Sequence, residues 1–263
     1  MTTNLDWIGK READLVLTAG EAPAGLEAFV SRGGKVLAIS ATPPAFGAPP
    51  ATLRQPSVKG YLRVRNPARF PSLKRSPLLM LDGPFSSAPD DPNAALTLVP
   101  PSMFGPPEFI HTDMRDTSTP AVLSMRGGGL TWVPFDLGAL YYQHSLTSHA
   151  ALLQDLINPL LPKRQLLTDA HPLVEVSLME QDGRTLLHLI NLSGHSQTAY
   201  FPPVPMQSIE LDLDGGFTTA RAVRANQNLQ LRPRGGRTMF TLPRLLDYEL
   251  IVLTKTAPSG VRK

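Results

Sequence analysis

The chain has 263 residues, of which 42% are hydrophobic and 18% charged, with a formal net charge of +3. That composition belongs to a globular protein with a real core and excludes disorder throughout. The absence of cysteine excludes disulfides, zinc–thiolate sites, iron–sulfur ligation and a thiol nucleophile. The basic residues are scattered, as at Arg63 and Arg65 or Arg232, Arg234 and Arg237, where a nucleic-acid-binding protein would gather them on one face.

Proline is the unusual component, at 27 residues. Proline removes a backbone donor and fixes φ, so much of the chain is expected in turns and irregular connections. The N-terminus, Met1 to Trp7, has no apolar region of the secretory type, and no stretch reaches the length of an apolar membrane span. A cytoplasmic protein with no membrane partner is the resulting expectation.

The first readable unit is β-α-β. Leu15-Val16-Leu17 suits a buried parallel strand. Leu26, Phe29 and Val30 recur at helical spacing before Gly33-Gly34, where a helix C-cap belongs. Lys35 to Ser40 is the second strand, so a right-handed parallel crossover is predicted. Residues 41 to 76 are rich in proline and arginine, with one strand expected at Tyr61–Val64. Strands are expected next at Pro77–Leu81, which ends in the turn Asp82-Gly83-Pro84, and at Ala95–Val99. A proline-heavy loop, Phe104 to Glu108, comes after them. Ala121–Met125 and Leu130–Pro134 flank Arg126-Gly127-Gly128-Gly129 as a hairpin. The strongest helix lies over Leu146–Leu161, where Leu152, Leu153, Leu156, Ile157 and Leu160 form one apolar stripe.

Beyond Leu166 the pattern changes to short alternating strands punctuated by turns: Val174–Met179, Thr185–Leu192, Ile209–Leu213, Ala220–Val223, Leu229–Leu231, Thr238–Leu242 and Tyr248–Leu253. Such a run without helices predicts an antiparallel sandwich. A domain boundary is placed at Pro162-Lys163-Arg164, giving domains 1–164 and 165–263.

Most chemical motifs are missing. Arg126-Gly127-Gly128-Gly129 has neither the lysine nor the following helix of a phosphate loop, and no G-x-S-x-G elbow is present. The histidines form no metal-binding pair at helical spacing; His144 and His149 are five residues apart. No metal and no cofactor is expected. The most site-like stretch runs from Phe135 to His144. It places Asp136, Tyr141, Tyr142 and His144 beyond the carboxyl end of an apolar strand, where ligands of open α/β sheets bind. Tyrosine rings cover apolar sugar faces while Asp and His bond hydroxyls, so a carbohydrate ligand suits these groups. The same residues also fit a plain structural role, with Asp136 capping a turn and the tyrosines packing. Asp82 and Glu108, each in a proline-rich loop, are a second candidate pair, since glycosidases work with two carboxylates.

Three stretches carry a family resemblance. Phe29-Val30-Ser31-Arg32-Gly33-Gly34 resembles the helix-to-strand element of the trimerisation domain of family 42 β-galactosidases. Trp132-Val133-Pro134-Phe135-Asp136-Leu137-Gly138, with Leu98 to Pro101 and Phe104 to Glu108, is similar to bacterial glycoside-hydrolase-like proteins. His188 to Gly194 with Tyr200-Phe201-Pro202-Pro203 resembles their C-terminal β-domain. The resemblance implies a flavodoxin-like parallel sheet, of the class I glutamine amidotransferase type, over 1–164, and a small antiparallel β-sandwich over 165–263. It also implies what is missing here. The catalytic barrel of such enzymes needs roughly 300 further residues upstream, and the amidotransferase cysteine is absent. The function so implied is a non-catalytic accessory or oligomerisation portion, partnered by copies of itself or by a barrel-bearing glycosidase subunit. The alternative is a free-standing glycosidase or sugar-binding protein using Asp82, Glu108 and Asp136.

Overall fold

A computed structural model describes residues 13–20, 23, 25–100, 116–196 and 198–255. The chain divides into two compact units, Met1–Pro162 and Lys163–Lys263.

In the first unit, β1 (Leu15–Ala19), α1 (Leu26–Ser31) and β2 (Lys35–Ile39) form the parallel crossover expected from the sequence, with Leu15 opposite Lys35 and Ala19 opposite Ile39. Two glycines end α1 for different reasons. Gly33 has φ +93°, a conformation that L side chains rarely adopt, and its N–H donates to the carbonyl of Val30 at 2.9 Å. Gly34 leaves room for the ring of Phe29, whose Cε1 lies 2.4 Å from where a Cβ would stand.

The unit does not continue as the parallel α/β sheet expected for it, and the flavodoxin-like, amidotransferase-type fold is corrected here. After β2 the chain forms β3 (Thr52–Val64), β4 (Leu78–Ser87) and β5 (Leu96–Val99), which pair antiparallel in the order β4-β3-β5. The physical reason lies in the connections. A parallel pair needs a crossover of a dozen or more residues, usually a helix. The proline-rich stretch after β2 supplies only a single 3-10 turn at Pro71–Leu73. The chain therefore folds back on itself, and β3 runs for 13 residues, far beyond the strand expected at Tyr61–Val64. Its register with β4 shifts between residues 54 and 58, a stretch holding Pro56, which has no amide to give the ladder.

Two further strands complete the first sheet. β6 (Leu123–Met125) and β7 (Leu130–Val133) form the expected hairpin, and β7 lies parallel to β2, giving the order β1-β2-β7-β6. Bridges at Phe85↔Phe135 and Thr97↔Pro120 stitch the two sheets together, so they curve as a half-barrel. Beyond β7 come two helices, α2 (Leu137–His144) and α3 (Thr147–Leu160). On α3, Leu152 and Leu156 are buried in one apolar cluster with Leu62, Leu79, Phe85 and Phe135. The predicted apolar stripe is thus the face that covers the core.

The second unit is an antiparallel sandwich. One sheet has the order β15-β14-β18-β10-β9, built from Gln227–Asn228 (β15), Thr219–Ala222 (β14), Tyr248–Thr254 (β18), Arg184–Asn191 (β10) and Val174–Gln181 (β9). The other has the order β16-β17-β13-β8, from Arg232–Arg234 (β16), Arg237–Leu245 (β17), Met206–Asp214 (β13) and Leu166–Thr168 (β8). Strict alternation fills its core: Leu187 and Leu189, Ile251 and Leu253, Leu211 and Leu213, and Phe240 and Leu242 are all buried. The strand expected at Leu229–Leu231 is not formed; those residues run as irregular chain between β15 and β16, where the N–H of Leu229 donates to the carbonyl of Ala220 at 2.8 Å and its side chain is buried in the core. A short ribbon, β11 (His195–Ser196) with β12 (Ala199–Tyr200), stands apart from both sheets.

Candidate functional site

The parallel strands β2 and β7 end side by side, with Ile39 opposite Val133. The chain just beyond them is fixed by a set of buried hydrogen bonds. Trp132, fully buried, donates its indole N–H to the carbonyl of Ser40 at 2.9 Å. Ser86 on β4 donates its N–H to the carbonyl of Pro134 at 2.9 Å and its hydroxyl to the carbonyl of Ala41. The rings of Phe85 and Phe135 stack with centroids 6.4 Å apart. Asp136 emerges from this framework at the N-cap position of α2, but its side chain does not cap the helix. Its Oδ1 instead accepts the N–H of Ala41 at 3.2 Å.

A hollow of about 250 Å³ opens beside it, lined by Asp82, Gly83, Pro84, Phe135, Asp136 and Gln143 among others. Asp82 reaches it from β4, where it stands opposite Lys59 of β3. The Lys59 ammonium lies 3.9 Å from the Asp82 carboxylate, and the Lys59 side chain is 79% exposed. A pair so open to water contributes little to stability. The hollow presents two carboxylates and one carboxamide against a phenylalanine wall. Such groups accept from and donate to hydroxyls, while the apolar wall suits a sugar face.

The structure therefore brings Asp82 and Asp136 to one place. Tyr141, Tyr142 and His144 lie on α2 but outside the lining of this hollow. Tyr142 is 90% exposed and Tyr141 41%. His144 is half-buried, and its Nε2 has no hydrogen-bond partner among the described residues. Glu108 lies outside the described residues. The helix explains most of the sorting: Asp136, Leu140 and Gln143 recur at spacings of four and three and share one face, whereas Tyr141 and Tyr142 fall on others; His144, four residues after Leu140, stands at the edge of that face in the last position of α2. Gln143 becomes legible only once the segment is recognised as helical. Gly138 and the tyrosine pair obscure that in the sequence.

A second buried acid, Asp155 on α3, is 4% exposed and accepts from the N–H and hydroxyl of Ser72 at 2.9 and 2.7 Å. His149, fully buried, meets the carbonyl of Met80 at 2.9 Å. Both tie α3 to the half-barrel. No group of three or more metal-ligating side chains occurs among the described residues. No helix among them is long and apolar enough to cross a membrane.

No family model matches the chain, and no curated protein sequence does. Solved structures do. An α-L-fucosidase, isoenzyme 2 from Paenibacillus thiaminolyticus, matches with a TM-score of 0.67 at 16% identity, over 93% of this chain and 41% of that one. A GH42 β-galactosidase matches with a TM-score of 0.51 at 10% identity, over 92% of this chain and 32% of that one. A catalytic mutant of that enzyme, from G. stearothermophilus, gives 0.50 at 9% identity with the same coverage. The fold is thus one found within glycoside hydrolases, and the chain spans less than half the length of each. The sequence resemblance holds in that coarse form. Nothing in these likenesses marks a trimerisation domain as such.

Proposed function

We propose that this chain is a non-catalytic accessory portion of a glycoside-hydrolase-type assembly, with the hollow between Asp82 and Asp136 lining a partner's sugar site. The observation that carries this reading is the fold likeness: 93% of the chain matches only 41% of a fucosidase chain. A fold that recurs as a part of a larger enzyme is suited to serve as a part. The carboxylates agree with it. Asp82 is 35% exposed and faces Lys59, and Asp136 is engaged by the Ala41 amide, so neither sits alone in the apolar enclosure that a glycosidase acid occupies. The partner is a second copy of the chain or a barrel-bearing glycosidase subunit. Light scattering coupled to size exclusion tests the first: a defined oligomer is expected. A strict monomer that also fails to co-elute with a barrel-bearing glycosidase would contradict the proposal.

A second reading, a sugar-binding protein acting alone, is favoured by the convergence of Asp82, Asp136 and Gln143 on one hollow. Calorimetry with galactose and fucose separates the two. Saturable binding by the isolated chain, lost in Gln143→Ala, supports the second.

A further inference from the structure

A cavity of about 650 Å³ lies at the opposite end of β2 and β7 from the hollow. Lys35, the first residue of β2, and Arg69, in the turn before Pro71, both line it. Ser124 of β6 and Thr131 of β7 add hydroxyls, and Leu156 and Leu160 of α3 add an apolar wall. Its volume is that of a ligand pocket, which runs to about 300–1,000 Å³.

The charges in this cavity do not cancel. Among the described residues, neither the Lys35 ammonium nor the Arg69 guanidinium has an acidic partner within ion-pair distance; the guanidinium lies over the face of Phe70, 5.8 Å from the ring centroid. The one carboxylate in the lining, Asp155, has both oxygens committed to Ser72. Arg69 is exposed as a residue, and the burial of part of its guanidinium lowers its pKa from the ordinary value. The purely structural alternative is that the two cations complement the carboxyl end of α3, which closes the cavity at Pro159 and Leu160.

We propose that this cavity binds a small organic anion, its carboxylate or phosphate held between Lys35 and Arg69 and its body against Leu156 and Leu160. Arginine offers a fork that meets either headgroup with two hydrogen bonds, and lysine a point charge.

Calorimetry at matched ionic strength with glucuronate, glucose 6-phosphate, inorganic phosphate and glucose tests the proposal. Saturable binding of at least one of the three anions is expected, with none for glucose. Whether the sugar acid or the sugar phosphate binds more tightly identifies the headgroup. Arg69→Gln and Lys35→Gln should each weaken that binding by about tenfold to a hundredfold, and Arg69→Lys should retain part of it. Melting curves of each variant report folding independently. Absence of binding by all three anions would overturn the proposal, as would binding undiminished in the double variant. Variants that lose stability while the wild-type chain ignores every anion would assign Lys35 and Arg69 to the α3 terminus alone.

Discussion

The N–H of Ala41 donates to Oδ1 of Asp136 at 3.2 Å, joining the chain beyond β2 to the start of α2 across 95 residues of sequence. The carboxylate thus serves two ends at once, as a backbone acceptor and as a wall of the hollow. Asp136→Ala should cost about 1–2 kcal/mol, the usual penalty for leaving a part-buried donor unpaired. Asp136→Asn keeps an acceptor oxygen and should cost less. Urea denaturation of the two variants against wild type checks the order.

Phe29 and Gly34 make a second, sharper test. A Cβ on residue 34 would meet the Phe29 ring at 2.4 to 2.6 Å, and Phe29 is only 6% exposed. Gly34→Ala should therefore cost about 1–3 kcal/mol through overpacking. Combining it with Phe29→Leu frees the space, so the double variant should be less destabilised than the two single changes sum to. Additive costs would show that Gly34 is required for another reason.

In the sandwich, Asn191 closes one end of the core. It is 6% exposed, donates its amide to the carbonyls of Val204 and Leu246 at 2.8 and 2.6 Å, and accepts from the N–H of Ser193 at 3.1 Å. Asn191→Ala removes three hydrogen bonds to backbone groups, of which the Val204 carbonyl keeps the Ser193 hydroxyl at 3.5 Å, and should lower stability by about 2–4 kcal/mol. Asn191→Asp, which cannot donate to either carbonyl, should be comparably damaging. Thermal unfolding followed by circular dichroism measures both.

How legible each element is in the sequence depends on the range of the interactions that form it. The crossover from Leu15 to Ile39 is legible because strand, helix stop and strand are written locally, down to the glycines that end α1. The sandwich strands are legible because alternation at Leu187, Leu189, Ile251 and Leu253 is a direct image of a half-buried sheet. The sheet of β3, β4 and β5 is not. Its strands are individually visible, but whether Tyr61–Val64 meets its neighbours parallel or antiparallel is decided by the connections, and the proline-rich segment gives no periodic signal. The site divides in the same way. Asp136 stands out as a carboxylate beyond a strand end, whereas Asp82, expected in a turn after Leu81, lies inside β4, which runs on to Ser87. Their convergence depends on Ser86 and Phe85 docking β4 onto the end of β7, which no local pattern announces. The placement of Tyr141 and Tyr142 outside the hollow comes from a helix that begins immediately after Asp136.

Hydrolysis of a broad panel of aryl glycosides by the purified chain measures the accessory role most directly. No turnover above the buffer rate is expected, with wild type indistinguishable from Asp82→Asn and Asp136→Asn. Enzyme-like turnover by wild type that either replacement abolishes would contradict it, because the chain would then hold a complete set of reacting groups by itself.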